Sequence, residues 1–388
     1  MLMVIFGAGA SYDSCSTYPP GATISVPGQS PEFARLNDYH RLPLAKDLFA
    51  NRPTFVDAID EFPQCKPIVP RLRDPAVTSG SASVEVRLRE IEEEAKTYAR
   101  GKQEVAAIRC YLARVISGCE AHWRDNTRGI TNYLSLLREI RRTHSANEVV
   151  CLVTFNYDTL LENALADLAP EFEIKQMDDY TRRPVLFRLF KLHGSVNWGR
   201  QVHMGFPANL NMTNPPSVLK YLIENATEQE ITNRFAICHP SSMGLADGRT
   251  PVFPAIAIPV EKKRMFECPS YMIEELKSVL PDVTKMILIG WRATEEHFLE
   301  MLKQHLKPGV YISIVSANGP EAQGVGANIS QFLLSNRPSL SPEQINGFTQ
   351  FILSRRAEAI LQGRPAPDEN ARASLKTGES GTRGIRWG

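Results

Sequence analysis

The stretch Leu2-Met-Val-Ile-Phe-Gly-Ala-Gly-Ala-Ser11 decides the fold, because it joins a strand pattern directly to a glycine-rich turn. Its first half is a short apolar run, typical of a strand buried inside a sheet. Gly7 and Gly9 then allow a tight turn and a close approach of the backbone to another group. A strand that enters such a turn is the usual opening of a nucleotide-binding βα unit.

The glycine turn matches the dinucleotide-binding fingerprint only in part. Residue 12 is tyrosine, where G-x-G-x-x-G requires its third glycine. No acidic residue follows an obvious second strand about 20 residues further on, where a dehydrogenase would hold the ribose. An ordinary dehydrogenase site is therefore not predicted, and a purely structural strand-to-helix turn is the alternative.

Further apolar runs predict more strands of the same sheet. Residues 149–155 form a continuous apolar run, typical of a strand that is buried on both faces of a parallel sheet. Helical patterns over 159–168 and 295–306 alternate with the strands. This alternation predicts an α/β fold with a Rossmann-like, doubly wound parallel sheet. The other predicted strands are 187–192, 235–238, 255–258, 286–289 and 311–315.

A helical insertion is predicted between the first two strands. Leu88, Ile91 and Ala95 recur at helical spacing, and the same period continues beyond Gly101. We interpret this region as two amphipathic helices separated near that glycine, followed by a third over 133–142. Such helices suit core packing or a subunit interface.

The order of these patterns predicts the domain organisation. We expect a first domain over residues 1–330, with the helical insertion at about 84–145, and a C-terminal extension over 331–388 that contacts another subunit or a partner. Residues 364–388 consist largely of glycine, serine and charged residues. That composition predicts disorder unless a partner orders the segment.

Composition and charge exclude several classes of protein. The chain has 388 residues, of which 43% are hydrophobic, and this excludes wholesale disorder. Lysine and arginine number 44 and aspartate and glutamate 43, so the net charge of +1 provides no overall attraction to nucleic acid or anionic lipid. No apolar run approaches the roughly 20 residues of a membrane span. The odd number and scattered placement of the cysteines suit reduced thiols, so a cytoplasmic protein is expected.

No metal site is predicted. The seven cysteines include no C-x-x-C pair, so a zinc ribbon is not supported, and reduced buried thiols are expected. Glu295, Glu296 and His297 are consecutive, and on a helix they would point in different directions.

Polar or glycine-containing segments follow five of the predicted strands. Ligands of open parallel sheets bind outside the carboxyl ends of the strands, so five such segments in one topological position indicate a binding site. The segments are 7–11, 156–158, 193–195, 290–291 and 316–318.

Three side chains in these segments could take part in chemistry. Asn156 and Asp158 could hold hydroxyls or a carboxamide, although Asp158 could equally cap the following helix. His193 could act as a general base near neutral pH, although a lone histidine is commonly structural. Gly194 and Ser195 leave room for a ligand beside its ring.

Together and in this order, the segments resemble motifs of the sirtuin superfamily. The Gly-Ala-Gly-x-Ser turn resembles the opening motif of the family, Asn156-Tyr-Asp158 its Asn-x-Asp motif, and His193-Gly194 its catalytic His-Gly. Gly290 resembles the glycine of a later ribose-contacting loop. Ser316 lies where a further adenosine contact would fall.

Three longer stretches are similar to the sirtuin-like domains of bacterial anti-phage defence systems, among them those that pair with a HerA-type ATPase. The likeness covers about residues 1–320 in scattered blocks. The chain differs from the deacylases of the superfamily because it lacks the paired C-x-x-C zinc module and the Gly-Ile-Pro-Asp-Phe-Arg loop. The stretches are Pro43-Leu-Ala-Lys-Asp-Leu-Phe49, Thr154-Phe-Asn-Tyr-Asp-Thr-Leu-Leu-Glu162 and Lys191-Leu-His-Gly-Ser-Val-Asn-Trp198.

The resemblance implies hydrolysis of NAD⁺ to nicotinamide and ADP-ribose, which depletes the dinucleotide in infected cells. It implies that Asn156 positions the ribose hydroxyls or the attacking water, that Asp158 holds the carboxamide, and that His193 acts as a base. Gly290 and Ser316 would contact the rest of the dinucleotide. The residues implied to hold the diphosphate are Gly7, Ala8, Gly9 and Ser11.

Other activities stay open at this point. An NAD-dependent deacylase or ADP-ribosyltransferase, and a non-catalytic module that senses NAD⁺ or ADP-ribose, are the alternatives. The resemblance also implies a homo-oligomer joined to a HerA-type ATPase, with a short Argonaute as the alternative partner. It implies no membrane contact, and nucleic-acid binding only weakly or through the partner.

Overall fold

The computed structural model describes residues 1–21, 38–74, 83–143, 148–181, 186–239, 242–260, 265–341 and 345–362. The predicted disordered tail, 364–388, lies outside the described residues, as does much of the loop that follows the glycine turn.

Strands and helices alternate over most of the described chain. The strands are β1 Leu2–Phe6, β2 Val150–Thr154, β3 Phe187–Lys191, β4 Gly194–His203, β5 Glu230–Ile237, β6 Leu245–Ala246, β7 Thr250–Ile256, β8 Lys285–Ile289, β9 Tyr311–Ser316, β10 Ser339–Leu340 and β11 Ile345–Asn346. The helices are α1 Ala8–Tyr12, α2 Pro53–Glu61, α3 Val69–Leu72, α4 Val84–Ala95, α5 Ala99–Thr127, α6 Asn132–Thr143, α7 Leu160–Leu168, α8 Pro215–Glu224, α9 Ser270–Val279, α10 Glu296–His305, α11 Gly319–Phe332, α12 Phe348–Leu353 and α13 Arg356–Gln362.

The main sheet is parallel and has the strand order β3-β2-β1-β8-β9-β10, with β11 also paired to β9. Ile5 on β1 pairs with Val153 on one side and Leu288 on the other. The chain moves outward in one direction from β1 to β3 and in the other from β8 to β10. Because βαβ crossovers are right-handed, the helices of the two halves cover opposite faces. The predicted doubly wound α/β fold is confirmed.

Strands β1, β2, β3, β8 and β9 of the main sheet follow the sequence prediction closely, because they are largely buried. The short strands β10 and β11, which are partly exposed, were not predicted. All five residues of β1 and all five of β2 are buried. A strand covered on both faces needs apolar side chains at every position, and a continuous apolar run is therefore a reliable signal. The order reverses between β1 and β8, which is where ligands bind in sheets of this kind.

A second sheet corrects part of the prediction. It is antiparallel, with the order β5-β4-β7-β6. The predicted strands 235–238 and 255–258 overlap β5 and β7, so they do not belong to the parallel sheet, and β4 was not predicted. A short apolar run predicts a strand but not the strands that pair with it. Because pairing determines which sheet a strand joins, the sequence pattern could not assign these two strands to the second sheet.

The helical region also differs from the prediction in its details. The break between α4 and α5 falls at residues 96–98, and Gly101 lies inside α5. A Cβ atom on Gly101 would lie 2.4 Å from the Cα atom of Ala95, so this glycine lets the end of α4 pack closely. Helix α2, which begins at Pro53, was not predicted, because only Phe55, Ala58 and Ile59 of its nine residues are buried and the apolar pattern is short.

Beyond residue 330, the part of the chain that the structure describes continues the main sheet with β10 and β11 and then forms α12 and α13. Phe348 of α12 is buried against Phe6 and Tyr133, with ring centroids 6.3 and 5.5 Å away. No helix within the described ranges is long and apolar enough to cross a membrane.

Candidate active site at the carboxyl edge of the sheet

The five polar segments follow β1, β2, β3, β8 and β9, which are adjacent or nearly adjacent parallel strands. They therefore gather at one edge of the main sheet, as the sequence predicts. The centre of this edge is the point between β1 and β8 where the strand order reverses.

Two glycine turns pack against each other at this central point. The amide of Gly7 donates to the carbonyl of Ile289 at 3.0 Å, and that of Gly9 to the carbonyl of Gly290 at 3.1 Å. A Cβ atom on Gly7 would lie 2.5 Å from the Gly290 oxygen. Gly290 has a φ of 60°, in the left-handed region that favours glycine. Close backbone packing thus requires all three glycines.

This packing limits how the first turn can hold a diphosphate. The amides of Gly7 and Gly9 are already bonded to protein carbonyls. Ala8 is exposed at the tip of the turn. A diphosphate at this turn would therefore lie against the surface of Ala8 rather than against the amides of both glycines.

A buried polar network lies directly beneath the turn. The hydroxyl of Ser11 donates to Asp158 Oδ2 at 2.7 Å and lies 2.9 Å from the hydroxyl of Tyr133. Asn156 Nδ2 lies 2.9 Å from the Gly7 carbonyl, 2.9 Å from Ser11 Oγ and 3.1 Å from the Tyr133 hydroxyl. The structure thus brings Ser11, Asn156 and Asp158 together, as predicted, and adds Tyr133.

Tyr133 was missed by the sequence analysis. It lies on the buried face of α6 and is 1% exposed, so its helical spacing marks it as a core residue. Burial raises the pKa of its hydroxyl well above the usual value, with a further contribution from the charge of Asp158. The hydroxyl is therefore protonated and can donate to Ser11.

Asp158 serves the network and the following helix at once. Its Oδ1 accepts from the amide of Leu160, the first residue of α7, at 3.2 Å, although the N-cap residue itself is Thr159 rather than Asp158. Burial raises the pKa of the Asp158 carboxyl, while the Lys191 ammonium and the Ser11 hydroxyl act in the opposite direction.

His193 lies at the end of β3 and is 4% exposed. Its ring packs edge-on against Phe155, with centroids 4.9 Å apart, and Phe155 in turn stacks on Trp291 at 5.4 Å. Gly194 follows with a φ of 81°, and a Cβ atom there would lie 2.0 Å from the Ala255 oxygen. The turn that follows His193 therefore requires glycine at position 194, both for its backbone conformation and for its close packing against Ala255.

A buried ion pair, which the sequence analysis did not assign, lies behind His193. Lys191 Nζ lies 2.8 Å from Glu162 Oε1 and also donates to the backbone carbonyl of Asp158. The Lys191 side chain is 0% exposed and that of Glu162 is 9% exposed. Both residues belong to the stretches quoted for the family resemblance, and the sequence analysis gave neither a role.

Glu120 of α5 also contacts the end of the loop that carries Asp158, at Thr159. Its carboxylate accepts from the Thr159 amide at 2.9 Å, from the Thr159 hydroxyl, and from Asn163 Nδ2 at 3.1 Å. Burial, assisted by the nearby charge of Asp158, raises the pKa of Glu120 to about 7.

Ser316 lies at the same edge but beside β11. It is buried, and its carbonyl accepts from the amide of Gly347 at 2.6 Å. The backbone carbonyl of Ser316, a residue predicted to contact adenosine, is therefore hydrogen-bonded within the C-terminal part of the sheet.

Comparison with solved structures finds similar folds, one of which belongs to a Sir2 enzyme. The chain resembles a chain from the study "Structural Basis for the Mechanism and Regulation of Sir2 Enzymes", with 11% sequence identity, a TM-score of 0.37, and coverage of 93% of this chain and 92% of that one. Values this low do not transfer an activity. No family model matches the chain. No curated protein matches it.

The predicted catalytic side chains are enclosed in this structure. Asn156 is 6% exposed and His193 is 4% exposed. Small cavities lie between α7 and β3 and between β4 and β7, and neither is lined by these two residues. The described residues contain no group of three or more side chains suited to hold a metal ion.

Proposed function

We propose that this chain is an NAD⁺ hydrolase that cleaves the nicotinamide–ribose bond and releases nicotinamide and ADP-ribose. One observation carries the proposal. Asn156 directs its amide nitrogen toward the first turn, while its buried Oδ1 has no hydrogen-bond partner among the described residues. An unsatisfied buried acceptor costs about 1–3 kcal/mol. An oriented acceptor at the reversal of the strand order is suited to a ribose hydroxyl or a water.

The chemistry of the bond fits this arrangement. The cationic pyridine makes nicotinamide a good leaving group, and cleavage passes through an oxocarbenium-like state, as in glycoside hydrolysis. Asn156 Oδ1 would orient the ribose hydroxyls or the attacking water. His193, from the neighbouring strand end, would accept the proton of that hydroxyl or water.

Asp158 has a more constrained part in the proposal. A carboxamide contact to Oδ2 would replace the hydroxyl of Ser11, which donates there at 2.7 Å. We therefore propose that Asp158 orients Ser11 and, through it, Asn156, and that it meets the carboxamide only when Ser11 turns away. Gly290 and Ser316 would contact the dinucleotide mainly through backbone atoms of the segments that follow β8 and β9.

The biological setting is proposed from the motif resemblance alone. We propose a cytoplasmic effector that depletes NAD⁺ during phage infection, acting as a homo-oligomer with a HerA-type ATPase or, alternatively, a short Argonaute. The native mass of the purified protein, alone and with the partner, tests this. A monomer at micromolar concentration that does not bind the partner would contradict it.

The activity is tested by incubating the purified protein with NAD⁺, with and without the partner, and separating the products. Free ADP-ribose without an acceptor supports hydrolysis, whereas O-acetyl-ADP-ribose or labelled protein indicates group transfer. Binding without turnover, even with the partner, would indicate a sensor.

Variants test the residues. His193→Ala and Asn156→Ala should each remove most of the turnover, by about 100-fold or more, while the protein stays folded. His203→Ala is the matched control, because His203 is exposed at the far end of β4. Turnover near that of the wild type in both site variants would refute the assignment.

A further inference from the structure

Lys191 is a fully buried lysine, and burying a charged side chain is energetically unfavourable. Taking a charged group out of water costs several kcal/mol, and a buried ion pair commonly stabilises a protein no better than an apolar pair of the same size. Lys191 and Glu162 therefore need an explanation other than stability. Their position suggests one, since Lys191 lies two residues before His193.

Lys191 joins three parts of the site. Its ammonium group, at the end of β3, donates to the backbone carbonyl of Asp158 and to Glu162 in the first turn of α7. The carbonyl belongs to the loop that carries Asn156. One side chain thus ties the loop of Asn156 to the strand end that presents His193.

Glu162 is itself held from the second sheet. Its Oε1 accepts from the Tyr180 hydroxyl at 3.1 Å, and the Tyr180 oxygen accepts from Trp198 Nε1 at 2.9 Å. Tyr180 is 1% exposed and Trp198 is 2% exposed. A continuous buried hydrogen-bond chain therefore runs from β4 to the loop of Asn156.

We propose that Lys191, with Glu162 as its counter-charge, is a positioning residue that sets the separation of Asn156 and His193 during bond cleavage. This proposal rests on the proposed NAD⁺ hydrolysis. The two side chains come from separate strand ends, and a displacement of about 1 Å can cost about 100-fold in rate. Loss of the ammonium group should therefore lower kcat far more than it raises KM.

The main test uses the double variant Lys191→Met with Glu162→Gln, because Lys191→Met alone would leave a buried carboxylate without its counter-charge. We expect kcat per folded molecule to fall about 30-fold or more, with KM changed less than about 3-fold. The matched control is Lys277→Met with Glu274→Gln, an exposed ion pair on α9 with a separation of 2.9 Å. The control should match the wild type.

A second measurement does not depend on activity. The amides of Thr159 and Leu160 are hydrogen-bonded in the held loop, so their hydrogen exchange should accelerate about 10-fold or more in the double variant. If the wild-type protein does not hydrolyse NAD⁺, the proposed function fails, and this exchange still tests whether Lys191 holds the loop. Unchanged exchange, or an activity loss that only follows the folded fraction, would overturn the proposal.

Discussion

At the scale of the residue, Asn156 shows how one side chain can be oriented by its neighbours. Its amide nitrogen lies within hydrogen-bond distance of Gly7, Ser11 and Tyr133, and this fixes which end of the amide points into the protein. The oxygen lies on the other side of the amide group and is also buried. An aspartate of the same shape would lack the donors and could not be held in this manner.

Glu120 makes the stability of the protein depend on pH. The folded state raises its pKa from the usual 4.5 to about 7, so the folded protein holds this proton more tightly than the unfolded chain does. By linkage, stability falls as the pH rises from about 4.5 to about 7, by up to roughly 3 kcal/mol from this one group.

We therefore expect Glu120→Gln to remove that part of the pH dependence. The difference in unfolding free energy between the variant and the wild type, measured by denaturant titration at several pH values, should increase through this window. Glu224→Gln, an exposed glutamate of α8, is the control and should keep the wild-type profile. Parallel profiles for Glu120→Gln and the wild type would contradict the assignment.

At the scale of the element, the edge of the sheet is defined by turns that pack backbone against backbone. Gly290 follows β8 with a positive φ, and a Cβ atom there would lie 2.3 Å from the Ala10 nitrogen. Neither the backbone conformation nor the available space admits a side chain. The position of the first glycine turn thus depends on β8, which lies far away in the sequence.

Gly290→Ala should consequently destabilise the protein by about 3 kcal/mol or more, through strain in the left-handed region and displacement of α1. Gly118→Ala is the matched control, because Gly118 lies inside α5 and, apart from the helix's own backbone, no atom of the described residues lies within 4 Å of its Cβ position. There alanine should stabilise the helix by about 1 kcal/mol. Chemical unfolding of both variants checks the prediction, and similar small effects would show that the two turns do not need to touch.

At the scale of the whole molecule, helix α12, in the C-terminal part of the described chain, packs against the N-terminal strand β1 and the residue after α1. Asp13, just after α1, accepts from the amide of Thr349 at 2.9 Å and from its hydroxyl. Burial raises the pKa of the Asp13 carboxyl, against the opposing effect of these hydrogen bonds. Phe348 is 2% exposed and covers Phe6 and Tyr133 from behind the candidate site.

Phe348→Ala should lower the free energy of unfolding by about 3–5 kcal/mol, because it opens a cavity at a buried aromatic cluster. Since Tyr133 bonds Ser11 and Asn156, turnover of NAD⁺ per folded molecule should fall too. Leu353→Ala, at an exposed position of the same helix, should change stability by no more than about 0.5 kcal/mol. Equal effects of the two substitutions would argue against this packing.

The sequence by itself determined five of the seven strands of the main sheet and the edge that carries the candidate site. Buried parallel strands need apolar residues at every position, and glycine or polar residues must follow them where the backbone turns. Both signals are local, so β1, β2, β3, β8 and β9 and the segments after them could be predicted. The sequence also pointed to Ser11, Asn156, Asp158 and His193, although their roles stay predictions.

Only the tertiary structure decided which residues support those side chains. Tyr133 meets Ser11 across 122 positions of the sequence, and Glu120 meets Thr159 across 39. A lysine or glutamate in a sequence indicates an exposed position, because burying a lone charge is costly. Its burial becomes tolerable when distant residues supply a counter-charge and hydrogen bonds, as Glu162 does for Lys191, and only the folded chain brings those partners together. The pairing of β4 with β5 and β7 was undecided for the same reason, since the partner of a strand is a property of the fold.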